Sequence, residues 1–155
     1  MAKFTDNTGH DWIVPVTYGS IERAQTFSGV NLCEVLTGEL FDRLQWDDLL
    51  ISKILWAICK PEADQAGISQ QQFQEAIQGE PIDAATEAIL EGLDGFFSRR
   101  KRQILRDMRA MLREAEATRS KVTEKFRDTM GNLTEIGLGD TAITLPEPSE
   151  STPAA

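Results

Sequence analysis

The spacing of apolar positions changes along the chain, and each change marks a different element. Near the N-terminus the period is two. Trp12, Val14 and Val16 alternate with Ile13 and Pro15, and the cluster Asn7-Thr8-Gly9-His10 separates them from Phe4-Thr5-Asp6. Two alternating runs around a glycine-containing turn predict a small β-hairpin. Gly9 can supply the positive φ of the turn. Pro15 has no N–H to give a ladder, which places it at an edge. A lone hairpin is marginal in water, so this one must pack on helices.

Beyond it the period is helical. Ser20 is read as an N-cap for a short helix through Ile21, Ala24, Gln25 and Phe27 that ends at Gly29. Residues 31–36 form a further short turn or helix, broken by Gly38. Leu40, Leu44, Leu49, Ile51, Leu55, Ile58 and Cys59, widened by Trp46 and Trp56, predict one strongly apolar helix that Pro61 stops. This segment is the expected core. Ser69 caps a helix over 70–77, Gly79 and Pro81 punctuate, and Asp83 caps another through Ile89, Leu93 and Phe97, with a kink or break at Gly95 and Ser98.

A long amphipathic helix follows over 99–130. Ile104, Met108, Met111, Ala115, Val122, Phe126 and Met130 recur at steps of three, four or seven, a narrow stripe close to a coiled-coil seam. After residue 130 the pattern stops. Glycines at 131, 137 and 139, prolines at 146, 148 and 153, and the lack of any aromatic or cation predict a disordered tail. Residues 141–145 alternate like a strand within it and are read as linker. The expected architecture is mainly α with a small N-terminal β-hairpin (α+β). A hairpin and helical core span 1–97, a long basic helix 98–130 and a tail 131–155.

The chain has 155 residues and a net charge of −9, a sign that disfavours anionic partners for the surface as a whole. The charge is unevenly laid out. Residues 61–98 hold eight acids and no cation, whereas 99–130 hold eleven cations and five acids. Either the two segments attract each other within the chain, or one charged face recruits a partner. The only basic run, Arg99-Arg100-Lys101-Arg102, opens the long helix. The N-terminus shows no signal-peptide pattern, and the longest apolar stretch, 49–58, is far short of the roughly 20 residues needed to span a bilayer. A cytoplasmic protein with no membrane partner is expected.

No motif for catalysis stands out. There is no Gly-rich phosphate loop before a helix, no HExxH and no GxSxG. No catalytic, metal-binding or cofactor-binding residue is assigned, and a non-enzymatic protein is expected. Cys33 and Cys59 read as small hydrophobes rather than a redox pair. His10 with Asp6 and Asp11 makes a poor metal site on a flexible turn. Residues 69–93 can be drawn as a helix-turn-helix, but its second helix would present Asp83, Glu87, Glu91 and Asp94 to phosphates, so nucleic acid is disfavoured there.

The order of several segments resembles a known family. Phe4-Thr5-Asp6, Gly9-His10-Asp11-Trp12, Ile21, Gly29-Val30-Asn31-Leu32, the run from Ala57 to Pro61, the run from Ala85 to Leu90, and Phe96-Phe97 are similar to segments of tail assembly chaperones. These are small proteins encoded beside tail-tube and tape-measure genes in long-tailed phages and prophages. The resemblance covers about residues 3–100 and carries over no functional residue. It implies a non-enzymatic protein of the host cytoplasm that holds tape-measure and tail-tube proteins during assembly. On this view Ile104, Met108, Met111, Leu112, Val122 and Phe126 contact the client, and Arg99, Arg100, Lys101, Arg102, Arg106 and Arg109 steer toward its acidic segments. The alternatives are a structural virion component such as a head–tail connector or tail subunit, a nucleic-acid-binding regulator acting through the basic helix, and an enzyme of another type. Self-association stays open.

Overall fold

The computed structural model describes residues 1–135, with side chains through residue 133. The fold is mainly helical with a small two-stranded hairpin at the N-terminus. The chain divides into two compact units, Met1–Ala110 and Met111–Ala155. Among the described residues no helix is long and apolar enough to cross a membrane.

In the first unit, strands β1 (Lys3–Thr5) and β2 (Asp11–Ile13) pair antiparallel with Phe4 opposite Trp12. Both of those side chains are buried while their neighbours face out, as period-two alternation requires. Helix α1 (Tyr18–Ser28) begins one turn earlier than expected. Thr17 is its N-cap, and Ser20 is the reciprocal partner: each side chain accepts from the other's backbone N–H. Gly29, at φ 77°, closes the helix with its N–H on the Gln25 carbonyl. A 3-10 turn over Leu32–Thr37 ends at Gly38.

The single apolar helix expected next is two helices. Helix α2 (Glu39–Trp46) and helix α3 (Asp48–Ala66) meet at Asp47, whose carboxylate accepts from the Leu50 N–H and caps α3. Trp46 and Leu49, expected in the core, are largely exposed at this corner. α3 is buried almost all round from Leu50 to Cys59, because α1, α2, α4, α5 and β2 all pack on it.

Pro61 lies inside α3 and does not stop it. A proline there leaves the carbonyl of residue 57 without its helical donor. Arg23 on α1 fills the gap, its Nε donating to the Ala57 oxygen at 3.1 Å. The buried carbonyl is thus paired from another helix, and the turn survives.

Helix α4 (Gln70–Ala76) starts in a capping box between Ser69 and Gln72. Helix α5 (Glu80–Phe96) starts from Gly79, at φ 83°, with Pro81 in its first turn, so Asp83 is inside the helix rather than its cap. Packing of the hairpin's exit against α5 requires Gly92: a Cβ there would collide with the Val16 side chain. Helix α6 (Arg99–Glu135) follows a break at Phe97 and Ser98. It runs beyond Met130, so residues 131–135, expected in the tail, are helical. The rest of the expected tail, including residues 141–145, lies outside the described residues.

Candidate functional site

The hairpin turn holds a dense polar cluster. Asp6 is 7% exposed. Its Oδ1 accepts from the Thr8 hydroxyl at 2.6 Å and from the backbone N–H groups of Thr8 and His10, and its Oδ2 accepts from Trp12 Nε1 at 2.8 Å. Burial pushes the Asp6 carboxyl up, but these donors outweigh it and hold the group below its usual 3.8.

The three residues weighed as a metal set face different partners. Asp6 is committed to its turn, Asp11 accepts from the Thr5 hydroxyl, and His10 Nε2 lies 3.3 Å from Glu62 Oε1. Glu62 also accepts from the Ile13 N–H, so one α3 side chain ties down both ends of the returning strand. Cys59, beside it, is buried, and burial together with Glu62 pushes its thiol up to about 12, which makes it a poor nucleophile.

A cleft of about 610 Å³ opens between the turn, the end of α3 and α4. Asp6, Asn7 and Gln72 line it. Asp6 is saturated as described, Asn7 donates to the carbonyls of Ala76 and Gln78, and Gln72 serves the α4 capping box. The polar rim therefore stitches the hairpin to α4.

The basic start of α6 is partly consumed within the first unit. Arg102 donates to the Asp94 and Phe97 carbonyls, satisfying the C-terminal end of α5. Arg106 pairs with the Asp94 carboxylate at 3.0 Å, and Asp94 holds that guanidinium above its ordinary value. Arg109 pairs with Glu87 at 2.6 Å. Attraction between the acidic and basic segments is thus realised as ion pairs inside the chain for two of the six cations expected to steer a partner, Arg106 and Arg109, and a third, Arg102, is engaged by backbone carbonyls. Arg99, Arg100 and Lys101 are exposed.

The apolar set also divides. In the first unit Ile104 is exposed, Met108 is half-buried, and Leu105, absent from the expected stripe, is fully buried. In the second unit Leu112 is half-buried, whereas Met111, Val122 and Phe126 are 70%, 63% and 66% exposed. Leu133 is exposed as well. Met111, Ala115, Val122, Phe126 and Leu133 follow one another at steps of four, seven, four and seven, which sets them along one helix face. The spacing that located the stripe missed Leu105 because it lies one residue, about 100° of helix rotation, from Ile104.

An uncovered run of large apolar side chains on a helix can hold the apolar face of another helix, with methionine adapting to the shape it meets. Compared with protein-family models, with curated proteins and with solved structures, the chain finds no match in any of the three.

Proposed function

We propose that the protein is a non-enzymatic tail assembly chaperone of a phage or prophage, acting in the host cytoplasm on tape-measure or tail-tube protein. The observation that carries this reading is the exposed apolar face of α6 formed by Met111, Val122 and Phe126. A tape-measure protein is a long helical chain, and its apolar faces are an aggregation hazard until they are covered. A helix presenting its own apolar stripe meets that need without any chemistry. The segment resemblance over residues 3–100 supports the same role, and the exposed cations Arg99, Arg100 and Lys101 favour encounter with acidic client segments.

Co-expression with a tape-measure protein tests the reading. The soluble fraction of the client rises, and the two proteins co-elute on a sizing column. Val122→Asp with Phe126→Asp abolishes both effects while the helical circular dichroism of the chaperone is kept. An insoluble client with no complex contradicts the proposal. Recovery of the protein in purified particles would point to a virion component instead.

A further inference from the structure

The face of α6 also carries a pattern that fits a second copy of the chain. Its apolar positions repeat every eleven residues: Met111, Val122 and Leu133 form one series, Ala115 and Phe126 another. Eleven residues make three turns of about 3.67 residues each, so the stripe stays on one side of a nearly straight helix.

The charges beside the stripe repeat with the same spacing. Glu114 and Lys125 lie on one flank, Glu116 and Arg127 on the other, and all four are exposed. Each flank therefore reads acid first and base eleven residues later.

We propose that two copies pair through this face, antiparallel, over residues 111–130. In an antiparallel helix pair each flank meets the same flank of the other copy. Glu114 then meets Lys125 of the second copy and Glu116 meets Arg127, and two-fold symmetry makes each pair twice. A parallel in-register pair sets one flank against the opposite one, which puts Glu114 by Glu116 and Lys125 by Arg127, like against like. The charges thus select one orientation.

Side-chain size selects the same register. With those ion pairs centred, Ala115 faces Phe126 of the second copy, small against large, and Met111 faces Met130. Arg119 lies against Val122, where its methylene stem can cover the valine. The interface is isologous and closes at two copies. It is one helix wide and about 30 Å long, a small interface that suits a weak, exchanging dimer.

The second copy and a client would use the same face, so client binding requires the dimer to part. That last consequence rests on the chaperone reading. The dimer itself does not, and its test contains no client.

The test is sedimentation of the full chain over a concentration series. The mass rises reversibly from 17.3 kDa to twice that value. Phe126→Asp weakens the dimer about thirtyfold or more, the effect of losing an aromatic anchor. Lys125→Glu with Arg127→Glu also weakens it, with circular dichroism confirming that both variants remain helical. Orientation is read by disulfide trapping in a Cys33→Ser background. A mixture of Met111→Cys and Met130→Cys chains cross-links, whereas Met111→Cys alone does not. A chain that stays monomeric at millimolar concentration, a dimer indifferent to Phe126→Asp, or cross-linking of Met111→Cys with itself overturns the proposal.

Discussion

Four donors converge on the Asp6 carboxylate, and one of them, Trp12 Nε1, belongs to a fully buried ring. Asn at this position can still accept on one side, but its amide faces the indole N–H with a second donor. Asp6→Asn is therefore expected to cost about 1.5–3 kcal/mol at neutral pH, the range for hydrogen bonds to a charged group. Because the folded-state carboxyl titrates below its unfolded value, its contribution is complete above pH 3.8 and is lost as pH falls through the folded value. Denaturant unfolding of both proteins between pH 7 and pH 2 checks this. The stability gap narrows below pH 3.8 in acid, and a gap independent of pH would show that the charge is immaterial. The turn itself was readable from Asn7-Thr8-Gly9-His10. What anchors it was not, because Glu62 is 52 residues from His10 and nothing local in the sequence marks the pairing.

At the scale of elements, α3 shows where sequence rules stop. Its apolar content marks it as core, and it is the helix on which the others pack. Its two ends escape local sequence rules for different reasons. Apolar residues continue in helical spacing through Trp46 and Leu49, so the break at Asp47 is hidden; only the carboxylate cap on Leu50 reveals it. Pro61 is a strong local stop signal, yet Arg23, arriving from another helix, removes its cost. Replacing Arg23 by Met keeps the stem but strands the buried Ala57 carbonyl, with an expected loss of about 1–3 kcal/mol. In a Pro61→Ala background residue 61 regains an N–H for that carbonyl, and the same replacement becomes nearly neutral. A double-mutant cycle measured by chemical denaturation reads this coupling directly, and additive losses would refute it.

For the whole molecule, the uneven charge has two outcomes within one helix. At its start, Arg102, Arg106 and Arg109 serve the acidic α5 segment, and Leu105 is buried. Farther on, Met111, Val122 and Phe126 remain exposed. Periodicity located the stripe but not this division, since burial depends on which neighbours reach each turn. The helix also extends past Gly131, where composition suggested an end: one glycine costs a helix only about 1 kcal/mol. Whether the later part of α6 receives a helical client is read by amide hydrogen exchange with and without bound tape-measure protein. Added protection is expected over residues 111–133, with little change in α3. Protection confined to the first unit, or unchanged exchange along α6 in a verified complex, would contradict it.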